Sequence, residues 1–394
     1  MWSAAVAVGL FALLPEVARG GIDAPRVDLG ALKVTDDGAT APLTEGGVAE
    51  LTLDVDLQRT ATALLIEAHP VSGAVVALDV ARGRVLAWAG SRGGSAAPDV
   101  VANAIAPAAS VFKLVTTTAL LEKGVKPDRT VCVSGGSSGI SREHLYRPKT
   151  GHALCAPFHD ALGRSRNAVF AQLATRFLNR EDLLGFASRL GFGHDVPFDV
   201  PFDVPITVGT LEVPDGELEF ARAASGFVGS RLSVAGGALL ASTIASRGVM
   251  KRLRIVQSAP GYEAPHHAEV VGHAMHESTA RELTRMMEGT IGGGTCLEAF
   301  TDPSGQSYLR DVRVAGKTGT LKLGEETTSS WFLGFAPSRH PRIVVSVLLE
   351  NGPTWRRKAN EVGRDVLRAY FAARGSRGVT APDVSGVTPK VAER

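Results

Sequence analysis

The sequence predicts an α/β domain whose sheet is closed by segments far apart in the chain, and three observations point there. GAVVALDVARGRVLAWAG (73–90) reads as a tight β-hairpin. DVRVAGKTGTLK (311–322), WFLGFA (331–336) and RIVVSVLLE (342–350) read as three further strands near the other end. The intervening segments have mostly helical periodicity, so strands from both ends must meet across a helical middle. The 394 residues suffice for one large domain or two ordinary ones, and 44% hydrophobic with 21% charged residues allows a sizeable core. A formal net charge of +2 gives no electrostatic case for nucleic acid. No long-period repeat is present.

Taken in order, Met1 to Leu14 (MWSAAVAVGLFALL) carries no charge and ends at Pro15 and Glu16. It is shorter than the roughly 20 apolar residues of a spanning helix. It also lacks the basic start and the clean small-x-small site of an export signal. Three readings stay open: the end of a membrane anchor that starts upstream, an atypical export signal, or an apolar N-terminus without a role. The first two place the rest of the chain outside the cytoplasm. Residues 15–50 are rich in Gly, Ala, Pro and Asp and read as a linker. The folded domain is expected over 51–375, followed by a polar, frayed tail at 376–394.

LTLDVDLQ (51–58) alternates as a strand, and TATALLIEAH (60–69) has helical spacing. In the hairpin, runs 74–79 and 84–89 flank Val80-Ala81-Arg82-Gly83, where Gly83 can supply the positive φ of the turn. The helix from Ser110 ends at Lys123-Gly124 and is apolar nearly all round, which predicts burial. FHDALGRSRNAVFAQLATRFL (158–178) reads as a helical turn, a break at Ser165-Arg166-Asn167, and an amphipathic helix. VPFDVPFDVP (196–205) is a tandem duplication expected to be a surface loop without chemistry. Helices are expected over 217–230, 232–247 and 278–289, a turn at Gly292-Gly293-Gly294, and a terminal helix over 356–373.

The three cysteines are Cys132, Cys155 and Cys296. The first two bracket a polar, loop-like stretch. They are either two ordinary thiols or, in an exported chain, a disulfide whose loop closure contributes about 3 kcal/mol. No zinc-type cysteine spacing occurs.

The chemistry starts with Ser110 and Lys113. Three residues apart on a helix, they share a face. A serine in the first turn has its hydroxyl and N–H at the positive end of the helix dipole. The lysine can act as a base if burial or a second cation lowers its pKa. Ser165 and Asn167 lie at a break between helices, where a hydroxyl could relay a proton and a carboxamide could grip an amide. The competing role for Ser165 is as N-cap of the following helix. Lys317-Thr318-Gly319-Thr320 lies on a strand, where Lys and Thr can hold a carboxylate and Gly319 lets another backbone approach. A strand edge there could also pair with an extended peptide. Each piece alone is weak.

Together, S-x-x-K at 110–113, S-x-N at 165–167 and K-T-G at 317–319 form the signature set of serine β-lactamases and penicillin-binding proteins. VVALDVARGRVLAWAG, DALGRSRNAVFAQLA and VRVAGKTGT extend the likeness beyond the motifs. From about Leu51 to about Ala373 the chain resembles the transpeptidase domain of penicillin-binding proteins. The resemblance implies a β-lactamase/transpeptidase-like α+β fold, an antiparallel sheet covered by helices with an all-helical subdomain. It implies a D,D-transpeptidase in which a peptidoglycan stem peptide ending in D-Ala-D-Ala acylates Ser110. Lys113 would be the general base. Ser165 would pass the proton to the leaving amine under the influence of Lys317. Asn167 would bind the substrate amide, Thr318 and Thr320 the terminal carboxylate. The backbone N–H groups of Ser110 and Thr320 would form the oxyanion hole. β-Lactams would acylate the same serine, no cofactor is implied, and the protein would work in the periplasm, anchored through its N-terminus, with a cell-wall synthesis complex as partner.

Two departures stand out. Ala109 precedes the nucleophile where relatives usually carry Gly, and only about 50 residues precede Leu51, too few for a glycosyltransferase domain or a large pedestal. Among rivals, a class A β-lactamase needs a Glu in an E-x-x-L-N pattern between the second and third motifs. Glu212, Glu217 and Glu219 lie there without it. A class D enzyme typically has an apolar residue where Asn167 stands. A D,D-carboxypeptidase differs only in using water as the acceptor. A non-catalytic sensor or scaffold would not need all three motifs. His266, His267, His273 and His276 cluster in HHAEVVGHAMH without metalloprotease spacing and read as solvated loop residues, not a metal site.

Overall fold

The computed structural model describes residues 24–386 except 137–138, 149–152, 203 and 377. The apolar segment at 1–14 lies outside the described residues, as do 387–394. Six antiparallel strands form the central sheet, in the order Ala315–Leu323, Thr327–Ala336, Ile343–Asn351, Ser72–Asp79, Val85–Arg92 and Ser95–Ala96. Its middle joint pairs Ile343–Asn351 with Ser72–Asp79, Val347 standing opposite Val75. Side chains alternate across this sheet as strand geometry requires. Val345, Val347 and Leu349 face the helices Val55–Ala68 and Ala359–Ala372, while Val344 and Leu348 face the main helical core. Covered on both faces, the strand can be apolar at nearly every position. The hairpin turn has Gly83 at φ +65°, and a Cβ there would stand 2.6 Å from Arg252 O.

The helical layer centres on Lys113–Glu122, in which residues 113–120 are all buried. Around it lie Asn167–Phe177, Val234–Ala245 and Glu277–Gly292. Cys132 and Cys155 stand opposite each other on the short hairpin Thr130–Val133/Leu154–Pro157 and are joined by a disulfide. His276 precedes Glu277–Gly292 and lies 3.5 Å from Glu122, while His273 ends the strand Val270–His273.

The structure corrects the sequence reading at several places. Residues 33–34, 39–42 and 48–51, all but Leu51 within the expected linker, form three strands that join Val256–Ala259 and Tyr262–Glu263 in a second, five-stranded sheet. Strands of two to four residues are too short to leave a periodic signal. The strand expected over 51–58 stops at Leu51, because the Asp54 side chain accepts from Leu57 N–H and caps the helix Val55–Ala68. The helix expected over 217–230 ends at Ala224, ahead of Gly226 and Gly229 with φ +85° and +75°. The tandem duplication is not a bare surface loop: Val196, Phe198 and Val200 are buried, and Phe198 meets the Trp88 ring edge-on at 6.0 Å. Its Asp199 accepts from Ile255 N–H and Tyr262 O–H, and burial pushes the carboxyl up to about 6. Part of the expected tail also packs back, with Val379 buried and Thr380 O accepting from Arg368.

Candidate active site

Ser110 lies in a single 3-10 turn, Ala109–Phe112, that leads directly into the helix starting at Lys113. Ala109 enters this turn at φ +48°, a left-handed conformation that costs an L-residue roughly 1–2 kcal/mol. Two glycines make room for it. A Cβ on Gly226 would lie 2.0 Å from Ala109 O, and one on Gly319 would lie 3.2 Å from Ala109 Cβ. Trp331 adds a further restraint by donating from Nε1 to Pro107 O at 2.9 Å. The turn is therefore held from three sides.

Lys113 is wholly buried. Its Nζ stands 2.6 Å from Ser110 Oγ, 2.7 Å from Asn167 Oδ1 and 2.9 Å from Ser225 O. Three acceptors match the three N–H donors of an ammonium group. Burial, and then the charge of Lys317, hold its pKa well below the usual lysine range. When the group is neutral, its lone pair can accept the Ser110 hydroxyl proton. The Phe170 ring, 5.6 Å from Nζ, supplies part of the apolar surroundings.

Asn167 opens the helix Asn167–Phe177, whose N-cap is Arg166 without a side-chain capping bond. Ser165 is not the cap. It sits at φ +54°, and its Oγ accepts from Lys317 Nζ at 3.1 Å. Lys317, also wholly buried, donates to Thr318 O at 2.8 Å as well. Burial brings its pKa down to about 7. The charge of Lys317 thus reaches Lys113 and lowers the cost of its losing a proton.

Thr318, Gly319 and Thr320 follow on Ala315–Leu323, the edge strand of the central sheet. The absent Gly319 side chain leaves the strand backbone against Ser110, because a Cβ there would be 3.3 Å from Ser110 N. Thr320 is exposed and Thr318 half-buried. Ser110, Lys113, Ser165, Asn167, Lys317 and Gly319 are brought together by these contacts, with Thr318 and Thr320 flanking Gly319 on the same strand; Cys132 and Cys155 lie on the hairpin Thr130–Val133/Leu154–Pro157.

Three contributors carry no sequence motif. Ser225 acts through its carbonyl, and Gly226 through the side chain it lacks. Thr295 acts through its hydroxyl, 2.6 Å from Thr318 Oγ1. Thr295 follows the glycine run 292–294, a turn signal that could have drawn attention to it.

A buried lysine against a serine hydroxyl, beside a second buried lysine on a sheet edge, is an arrangement able to support proton removal, nucleophilic attack and proton return. Fold and site together define a protein of the active-site-serine, penicillin-recognising class. The chain belongs to the penicillin binding protein transpeptidase domain family, which matches residues 73–368. It is similar to the peptidoglycan D,D-transpeptidase PbpA of Mycobacterium tuberculosis strain H37Rv, with 26% identity over 344 residues, covering 76% of this chain and 67% of the relative. The PbpA of Mycolicibacterium smegmatis is also 26% identical, over 350 residues, covering 78% and 68%. Among solved structures, the penicillin G acyl-enzyme complex of M. tuberculosis penicillin-binding protein A superposes with TM-score 0.64 at 23% identity, covering 84% of this chain and 81% of that one.

Proposed function

We propose that this protein is a peptidoglycan D,D-transpeptidase acting outside the cytoplasm. Ser110 Oγ attacks the carbonyl of the penultimate D-Ala while Lys113 Nζ takes its proton. The tetrahedral oxyanion is held by the N–H groups of Ser110 and Thr320. Collapse breaks the peptide bond, and the leaving D-Ala amine receives a proton through Ser165, whose hydroxyl Lys317 orients. Asn167 binds the substrate amide, and Thr318 and Thr320 hold its terminal carboxylate. An amine of a second stem then attacks the ester and releases Ser110, completing a cross-link. β-Lactams enter the same path and stop at the ester.

The observation that carries this reading is Lys113, buried, with Nζ 2.6 Å from Ser110 Oγ and under the field of Lys317. The names of the mycobacterial relatives support the choice of reaction. Membrane attachment through the N-terminal apolar segment and recruitment to a cell-wall synthesis complex complete the proposal.

The test is intact-protein mass after mixing with benzylpenicillin, followed over hours, with Ser110→Ala as control. A persistent adduct absent from the variant supports the reading. A fleeting adduct with steady drug hydrolysis makes the protein a β-lactamase, and no adduct on folded protein refutes the acylation step. A thioester stem mimic offered with a D-amino acid then separates transfer to an amine from hydrolysis by water, the outcome expected of a D,D-carboxypeptidase.

A further inference from the structure

A cavity of about 350 Å³ opens where the small sheet meets the hairpin turn of the central sheet. Arg82, Arg84 and Arg254 line it together with Glu50, Ser258 and Glu263. The backbones of Arg84 and Arg254 are bridged, with Arg254 N–H donating to Gly83 O and Val85 N–H donating to Arg254 O. Neither residue can leave without breaking the joint between the sheets. The cavity is separate from the cleft: two strands stand between Lys317's edge strand and Ser72–Asp79, so the span is at least three strand spacings, roughly 14 Å.

The cationic side of this cavity is short of partners. Asp79 lies 3.4 Å from Arg84 and 4.0 Å from Arg82. Arg254, 5% exposed, has no ion pair within 4 Å among the described residues. Its Nε and Nη1 have no acceptor, and neither has Arg84 Nε. Asp199 is close enough for its carboxylate to offset part of Arg254's charge, while its hydrogen bonds come from Ile255 N–H and Tyr262 O–H. Guanidinium N–H groups removed from water without acceptors are costly, and adjacent like charges add to that cost. An anion in the cavity would offset the clustered charge of Arg82, Arg84 and Arg254. Glu50 and Glu263 disfavour a dianion and offer acceptors to a cationic or N–H-bearing group.

We propose that this cavity is a second binding site, for a small zwitterion whose carboxylate meets Arg84 and Arg254 and whose ammonium meets Glu50 or Glu263, the chemistry of a free amino acid or short peptide. The site does not rest on the proposed reaction, since none of its groups belongs to the cleft.

The experiment is calorimetric titration of the full chain after benzylpenicillin has blocked the cleft, with acylation read first by mass. The probes are the dipeptide D-Ala-D-Ala, its C-terminal amide and inorganic phosphate. Saturable binding of the dipeptide is expected, with Kd raised at least tenfold in Arg84→Gln and Arg254→Gln and binding lost for the amide. Absence of saturable binding, or a Kd unchanged in the folded variants, overturns the site. Phosphate binding more tightly than the dipeptide overturns the zwitterion. Arg254→Gln risks misfolding because it is buried, so Arg84→Gln, on a partly exposed side chain, carries the test alone if necessary. If mass shows no acylation, the proposed reaction fails, and the titration is run on the unacylated protein with the same outcomes deciding the site.

Discussion

The Lys113 ammonium lies between two side chains that are 57 residues apart in sequence (167 minus 110), 2.6 Å from Ser110 Oγ and 2.7 Å from Asn167 Oδ1. Replacing Lys113 by Met keeps the volume and removes the proposed base. Benzylpenicillin acylation should slow by ~10²–10⁴ while the fold persists. Quenched-time mass spectrometry with circular dichroism checks both halves; an unchanged rate would remove Lys113 from the mechanism.

Lys317 titrates near 7 in the folded chain against 10.5 for an ordinary lysine. Between those values the unfolded chain holds more protons, so stability attributable to this residue rises with pH from about 7 to about 10.5. At pH 7 and below the full cost of burying the charge is present. Lys317→Met should therefore be more stable than the parent at pH 6.5, and that advantage should shrink by pH 9.5. Urea unfolding at the two pH values measures it, and a pH-independent difference would contradict the assignment.

Ala109→Gly should relax the left-handed turn before Ser110. Part of the gain is offset because glycine is freer in the unfolded chain, leaving a net stabilisation of ~0.5–1 kcal/mol. Chemical denaturation checks the sign. Gly226→Ala should act oppositely, because its Cβ would collide with Ala109 O. Acylation by benzylpenicillin should fall with it.

Thr295→Val removes the hydroxyl 2.6 Å from Thr318 Oγ1. If Thr295 orients Thr318 toward a carboxylate, apparent affinity for β-lactams should drop about 2–10-fold, as for one hydrogen bond, with the limiting acylation rate little changed. Second-order and saturating rates, measured separately, distinguish this from a general loss of structure.

Converting both Cys132 and Cys155 to Ser opens the loop between them, whose ends are 23 residues apart. The expected loss is about 3 kcal/mol of unfolding free energy. Urea titration of the variant, and of the parent with and without reductant, should agree; no difference would show that the hairpin alone holds the loop.

The three motifs were legible because each packs its chemistry into four or fewer neighbouring residues on one local element. The hairpin and the C-terminal strands were legible for the same reason: their apolar patterning and turn residues are local. Ser225 and Gly226 left no trace, since a carbonyl acceptor and a missing Cβ look alike in every sequence, and their partners lie more than 110 residues away. Residues 33–51 failed as strands because their runs are short, and the pairing that ties them to the rest of the chain, Val48–Leu51 with Val256–Ala259, spans some 200 residues. The duplication misled because its prolines signal a loop, while its buried Phe198 and Asp199 are anchored by elements distant in sequence.

The pairing of Ser72–Asp79 with Ile343–Asn351 has a consequence for how the chain is born. Some 270 residues separate the two partners, so during synthesis the first strand waits without its neighbour until most of the polypeptide has emerged. Lys317 arrives late as well, and with it the charge that, after burial, lowers the Lys113 pKa. A nascent or incomplete chain thus carries Ser110 and Lys113 without the surroundings that make them reactive. The proposed reactivity of Ser110 is thus completed only when the sheet closes, which in a chain crossing a membrane unfolded follows the emergence of Lys317.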